Sequence, residues 1–497
     1  MSNTRRFYVT TAIPYVNGDP HLGHALELVQ ADVLARHRRL RGDDVRFLTG
    51  TDDNALKNVD AALAAGLRVP EFVEAKAQRF ADLAEPLQLS NDDFIRTSTD
   101  PRHRPGVERL WRLCAEAGDL YERHYEGLYC SGCEAFVAAG DLDDGRCIEH
   151  GEPVELIAER NWFFRLSRYQ DAVLELIESG CLRIEPAQRR NEVLAFTRRG
   201  LTDFSVSRTV ERARGWGIPV PADPTQVIYV WFDALANYIT ALESGSDSEA
   251  YRDWWRESDE RLHVIGKGIT RFHAIYWPAI LLSAAQPLPT AIFVHDYLTV
   301  EGQKLSKSLG TAIDPVWVVR RFGTDALRWW FLREVPPNGD VDVREELIAA
   351  RANELADGLG NLINRTIALV SRNQPERAQP TSEAASLLSL CDELPSAIDE
   401  ALAVFDLRAA TAALWEVVAE ANRFVSATQP WELARAARAG DRHAAERLGR
   451  ILGSLLDACR AITAELRPFL PAAADRIATA LDELDEGQGR KLFPKVA

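Results

Sequence analysis

Short runs of β-branched and aromatic residues alternate with stretches of helical period in this chain, lose that alternation near residue 121, and regain it near residue 226. RRFYVTTAIPY breaks at VNGDPHLGH and leads into ALELVQADVLARHRRLRG, whose apolar residues recur at helical spacing up to Gly42. DVRFLTGTD reads as a second buried strand, with helices following to about residue 89, and DDFIRTST as a third strand ahead of a helix. Alternation of this kind predicts an α/β fold with a doubly wound parallel sheet of Rossmann type. QVIYVWFD, RLHVIGKG and AIFVHDYLTV resume it, so a single sheet is expected to be split by an insertion. From about residue 345 to 480 the chain is Ala, Leu, Arg and Glu at helical period, which predicts an all-α bundle. The expected divisions are 1–120 and 226–344 for the two halves of the sheet domain, 121–225 for the insertion and 345–497 for the bundle.

Composition narrows the class. Apolar residues at 46% and charged ones at 27% suit an ordinary water-soluble globular protein. The start MSNTRRFYVTTAIPY has no long apolar segment and no stretch is apolar enough to span a membrane, so neither secretion nor membrane insertion is expected. Seven cysteines in so long a chain do not form a disulfide framework, which points to a reducing cytoplasm. A net charge of −16 argues against a protein that coats nucleic acid by charge alone, though a local basic face stays open to it.

Lysine is scarce: of 58 basic residues only those at 57, 76, 267, 304, 307, 491 and 495 are Lys. Two of them, Lys304 and Lys307, share the stretch VEGQKLSKSLG. A compact, flexible ammonium is not interchangeable with a planar guanidinium where a phosphate must be followed through a reaction. At the other end of the sheet domain, HLGH sets His21 and His24 where the first strand feeds the first helix. In doubly wound sheets ligands sit at that edge, and the helix N-terminus offers N–H groups and a positive dipole end to phosphate.

HLGH at 21–24 and KLSKS at 304–308 resemble the two signatures of class I aminoacyl-tRNA synthetases. TTAIPYVNGDPHLGHALE, FLTGTD, GLYCSGCE, VWFDALANY, RFHAIYWPA and ANRFVSATQPW are similar, in order, to the methionyl branch of that family, the methionyl-tRNA synthetases. The resemblance implies ATP, with Mg²⁺, as a substrate, L-methionine as the amino acid and tRNA(Met) as the acceptor. It implies that Lys304 and Lys307 lie on a mobile loop closing on the triphosphate, Lys307 nearer the transition state, while His21 and His24 hold phosphates from the other side. It further implies a methionine pocket lined by Ile13, Tyr15, Trp231, Ala234, Leu235, Tyr238 and His273, with Asp52 taking the α-ammonium. A thioether needs such aromatic and aliphatic walls and soft sulfur contacts. The stretch between the two signatures is too short for a large editing insertion, so discrimination falls to the pocket itself. In the bundle, LGNLINR and NRFVSATQPW match the family's anticodon-reading positions at Asn361, Arg365 and Trp431; under a shifted alignment Asn364 and Arg372 take part instead.

Cys130, Cys133, Cys147 and His150 follow the spacing C-x2-C-x13-C-x2-H, with Gly after the first pair and DDGR before the second. Three thiolates and one imidazole at that spacing fit one closed, tetrahedral, structural Zn²⁺ knuckle in the insertion. The chain departs from the family pattern in three places. TDDNA stands where TDEHG is usual, which puts Asn54 for His and Ala55 for Gly. GKG stands for GKD at Gly268, and HDY for HG plus an aromatic at Asp296. The last two amount to an Asp and a Gly exchanging loops. Such changes leave open a paralogue that serves another amino acid or acceptor, or a non-catalytic tRNA-binding one, although the retained His and Lys pairs argue for catalysis. The chain ends soon after the bundle with no appended tRNA-binding module, and a monomer is expected.

Overall fold

The computed structural model describes residues 4–130, 135–137, 140, 142–148, 151, 153–305, 311–373, 382–484 and 492–496. The first strand, β1 (Arg6–Thr11), is buried over five of its six residues. It pairs in parallel with β2 (Asp44–Thr51) on one side and with β7 (Glu260–Gly266) on the other. β3 (Asp93–Arg96) extends the sheet beyond β2, and β8 (Ala291–His295) extends it beyond β7. β-Branched residues such as Val9, Val264 and Val294 are wholly buried there, as a sheet covered on both faces requires.

A sixth parallel strand, β6 (Arg183–Glu185), closes the edge beside β8 and gives the order β3-β2-β1-β7-β8-β6. It comes from inside the stretch 121–225, so the insertion returns briefly to the parent sheet before leaving it again. Pro186 follows directly and has no N–H for a ladder, which keeps this edge strand short. The rest of the insertion is built on a long antiparallel pair, β4 (Leu120–Cys130) and β5 (Glu155–Phe164), in register from Leu120 with Phe164 to Tyr129 with Glu155.

Two compact units result. One comprises Met1–Pro20, Gly42–Asp82 and Asn91–His295 and holds the sheet and the insertion. The other comprises His21–Arg41, Leu83–Ser90 and Asp296–Ala497, so the first helix, α1 (Leu22–Leu40), belongs with the C-terminal helices. Its Asp32 shows why. That carboxylate is fully buried and pairs at 2.8 Å with Arg328, also fully buried, on α4 (Thr324–Glu334). Arg328 also donates to the carbonyls of Leu87, Pro468 and Phe469. A buried ion pair is tolerated only when its remaining hydrogen-bonding capacity is used in this way. Farther along α1, Arg41 donates to Asp399 on α6 (Ala385–Ala403) and to Glu465 on α9 (Arg442–Leu466).

Candidate active site

In the sheet-bearing unit, β1 and β7 are adjacent but their chains wind away in opposite senses, which makes their carboxyl ends the switch point of the sheet. Ile13, Tyr15 and Asp52 leave the sheet at this edge. Asp52 donates its N–H to the Pro14 carbonyl at 2.9 Å and forms a parallel bridge with Tyr15. Its side chain is 1% exposed. One carboxylate oxygen accepts the N–H of Asn54 at 3.1 Å, and the Asp52 carbonyl accepts the Asn58 amide at 2.9 Å. A carboxylate fixed this way is ready for a cation without having to reorganise.

The aromatic residues form one wall. Trp231, on the short helix α3 (Val230–Leu235), stacks on Phe272 with centroids 3.8 Å apart and planes 2° from parallel. Tyr15 and His273 meet the same indole edge-on at 6.4 and 6.3 Å. Ala234 and Leu235 are buried on the same helix. His273 Nδ1 lies 2.9 Å from the Ile269 carbonyl, which can only accept, so the proton sits on Nδ1. Nε2 must then accept, and it takes the Tyr238 hydroxyl at 2.7 Å. Burial pushes the His273 pKa down to about 4, so the ring is neutral at pH 7 and its tautomer is fixed.

The nucleotide signature lies in the other unit. His21 caps α1: its Nδ1 accepts the Gly23 N–H, and His24 Nδ1 accepts the His21 N–H, each at 3.1 Å. With both Nδ1 atoms accepting, a neutral ring carries its proton on Nε2, where it can be given to a phosphate oxygen. The two rings stack with centroids 3.8 Å apart. A Cβ on Gly23 would come within 3.0 Å of the His21 ring, which explains the glycine of HLGH. Lys304 ends a two-residue strand, Gln303–Lys304, paired with Leu298–Val300. Lys307 lies outside the described residues.

Cys130 ends β4, and Cys147 ends the hairpin Leu142–Asp143/Arg146–Cys147; both side chains are buried. Asp144 and Gly145, at φ 46° and 73°, make the tight turn between its strands. Cys133 and His150 lie outside the described residues, and among the described ones no group of three or more metal-binding side chains occurs. In the bundle, Asn361 and Arg365 lie one turn apart on α5 (Asn361–Asn373). The Arg365 guanidinium lies 5.4 Å from the ring centroid of Trp431, on α8 (Pro430–Arg438), and that indole is 38% exposed. Asn364 is exposed on the same helix as Arg365.

Two departures acquire local explanations. Ala55 has φ −65° and ψ 141°, a conformation open to any residue, so no glycine is needed. Asp296 accepts the N–H of Gly339 in its own unit, so its carboxylate serves a loop contact there. The site also contains residues that sequence reasoning passed over. Phe272 is the stacking partner of Trp231, and its place beside His273 in RFHAIYWPA was the available signal. Regular helical spacing turns neighbours apart, but Phe272–Tyr276 forms a π turn, next to Pro278, which lacks the N–H that a regular ladder would use.

The family model described as tRNA synthetases class I (M) matches residues 7–141 and 132–367. The chain belongs to this family. Among its relatives, the methionine–tRNA ligase of Brucella suis biovar 1 is 40% identical over 481 residues, covering 95% of this chain and 91% of the relative. That of Rhizobium meliloti is 41% identical over 487 residues, covering 96% and 92%. Among solved structures, Mycobacterium tuberculosis methionyl-tRNA synthetase bound by methionyl-adenylate superposes with a TM-score of 0.90 at 38% identity, covering 95% of this chain and 94% of that one. The free-state structure from the same organism gives 0.85 at 34%, covering 100% and 99%. This class I synthetase is therefore matched along nearly its whole length, insertion and bundle included.

Proposed function

We propose that this synthetase activates L-methionine with ATP and ligates it to tRNA(Met). The methionine carboxylate attacks the α-phosphorus, pyrophosphate leaves, and the 3′-terminal ribose hydroxyl of the tRNA then displaces AMP from the adenylate. The likeness to structures that hold methionyl-adenylate, at TM-scores of 0.90 and 0.91, is the observation that carries this reading.

Asp52 takes the α-ammonium, and Ile13, Tyr15, Trp231, Ala234, Leu235, Tyr238 and His273 surround the thioether; the aromatic wall and the fixed carboxylate support both roles. His21 and His24 donate to phosphate from Nε2, and Lys304 and Lys307 neutralise charge developing on the triphosphate, which travels with Mg²⁺. Asn361, Arg365 and Trp431 read the anticodon, for which an exposed indole beside a guanidinium supplies a stacking surface. Cys130, Cys133, Cys147 and His150 would hold one structural Zn²⁺, which would supply a cross-link within the insertion; the buried Cys130 at the end of β4 and Cys147 at the end of the hairpin Leu142–Asp143/Arg146–Cys147 fit that donor set. In this reading residues 121–225 are the connective module and 345–497 the anticodon-binding domain of a cytoplasmic monomer. Among the described residues no helix is long and apolar enough to cross a membrane.

Methionine-dependent exchange of pyrophosphate into ATP, run beside a panel of other amino acids, tests the activation step. Strong exchange with methionine alone is the expected result. Exchange with a different amino acid would replace the substrate in this reading, and aminoacylation of tRNA(Met) then tests the transfer step.

A further inference from the structure

Asn54 stands where the resemblance leads one to expect His, and its surroundings give the substitution a role. Its backbone N–H holds the Asp52 carboxylate. Its side-chain nitrogen donates to Asp233 Oδ2 at 2.7 Å and to the Thr97 carbonyl at 3.3 Å. A backbone carbonyl can only accept, so the amide is oriented with nitrogen inward and both of its N–H groups are used. The other oxygen of Asp233 meets His103 Nε2, and His103 Nδ1 meets Thr240 Oγ1 at 2.7 Å. Asp233 is 1% exposed and His103 0%, so this line of polar groups is shut off from water along most of its length.

Asp233 belongs to α3, which also carries Trp231. A helix of six residues has almost no stability of its own, and its orientation is set by what its side chains hold. Asp233 is its polar tether, gripped by Asn54 on one oxygen and by His103 on the other. One residue thus contacts the anionic group of the amino-acid pocket through its main chain and, through its side chain, the helix that carries the aromatic wall's Trp231.

We propose that Asn54 is a positioning residue for the amino-acid substrate, fixing Asp52 and, with His103 acting through Asp233, the helix that bears Trp231. This inference rests on the assignment of Asp52 to the substrate ammonium. It locates selectivity for the amino acid partly in a residue that touches no substrate, and it gives Asn54 no part in binding ATP.

The test is steady-state pyrophosphate exchange, with methionine and ATP varied separately. Loss of a hydrogen bond to a charged group predicts that Asn54→Ala raises KM for methionine about tenfold or more. KM for ATP should stay within about twofold, since no ground-state contact to ATP is removed. Asn54→Asp, which offers no N–H and sets a second carboxyl against Asp233, should be worse than Asn54→Ala. Asn54→His, which returns one N–H donor of similar reach, should recover most of the loss. Inhibition by methioninol, which keeps the ammonium and the thioether, should weaken in step with KM for methionine. Thr240→Val removes only the far hydroxyl and should shift KM for methionine in the same direction by less, which keeps the test available if an Asn54 variant does not fold. A purely structural role would lower the melting temperature and the active fraction with the ratio of the two KM values unchanged, and that result overturns the proposal. So does an equal rise in both KM values. If Asp52→Asn leaves KM for methionine unchanged, the assignment of Asp52 has failed and the inference falls with it. If Asp52→Asn raises it and the Asn54 variants do not, the inference alone has failed.

Discussion

Trp231 and Trp431 are the same side chain in opposite situations. Trp231 is half-buried, stacked on Phe272 and bounded edge-on by Tyr15 and His273. Trp431 is 38% exposed, with the Arg365 guanidinium above its ring. The first is held by this chain's own rings and can discriminate by shape, since moving it means disturbing three aromatic neighbours. The second offers a ring to whatever arrives from solvent, which suits an unpaired base and contributes little to folding. The contrast extends to polar groups. On the Trp231 side Asp52, Asp233 and His273 are buried and hydrogen-bonded, while the indole nitrogen of Trp231 is buried without a protein partner among the described residues. On the Trp431 side Asn361 and Asn364, which share a helix with Arg365, are exposed.

Removing the buried anion should break the first region most severely. Asp52→Ala is expected to lower kcat/KM for methionine in the exchange reaction by about 10³-fold, the scale for stripping a buried cation of its partner. A loss below tenfold would mean that the pocket does not depend on that carboxylate. Next in size, Trp431→Ala should reduce kcat/KM for tRNA in aminoacylation by roughly 5- to 150-fold, the worth of one base–aromatic stack. The exchange reaction, which needs no tRNA, serves as its reference, and an equal fall in both would dissolve the distinction drawn between the two tryptophans.

Acid should reach the buried region first. The His273 pKa is lowered to about 4 in the folded chain, so between that value and its ordinary one of about 6.5 the unfolded state binds the extra proton. Stability is therefore complete above pH 6.5 and declines as pH falls through this window. The expected loss from His273 is about 2 kcal/mol between pH 6.5 and 5. His263, also held well below its ordinary value by burial, adds to it in the same direction. Denaturant melts across pH 5–7.5 measure the slope; a flat profile would contradict the buried, neutral state of His273. The smallest effect sharpens the exposed side. Arg365→Gln should cost about two- to fivefold in aminoacylation, as expected for an exposed cation–π contact.

How far was this legible in the sequence? β1, β2, β3, β7 and β8 announced themselves as β-branched runs between helical periods, and HLGH sits at the strand–helix turn where the pattern put it. The three residues Arg183–Glu185 are too few to show a period, so their return to the sheet was invisible. Phe272 was missed because the pocket residues came from the family resemblance, and its stacking on Trp231, 41 positions away, leaves no local pattern. The Asn54–Asp233–His103 line joins residues 179 and 130 positions apart, and no local pattern encodes contacts at that range. Asn54 was visible as a departure, and only its partners give that departure a meaning. Lys304, Lys307 and the zinc ligands were legible through motif and spacing alone.

The buried pair Asp32–Arg328 also sets a timetable. The two residues are 296 positions apart, and Arg41 and its partner Glu465 are 424 apart. At about 5–20 residues per second, a ribosome needs roughly 15–60 s after making Asp32 to supply Arg328, and longer still to supply the carbonyls of Pro468 and Phe469. During that interval α1 has left the exit tunnel with its buried side chains uncovered, while β1, β2 and β3 already have one another. The first helix made is therefore among the last to be completed. Truncations near residue 460, however far they lie from HLGH in sequence, should strand it in the half-built state that chaperones and proteases recognise.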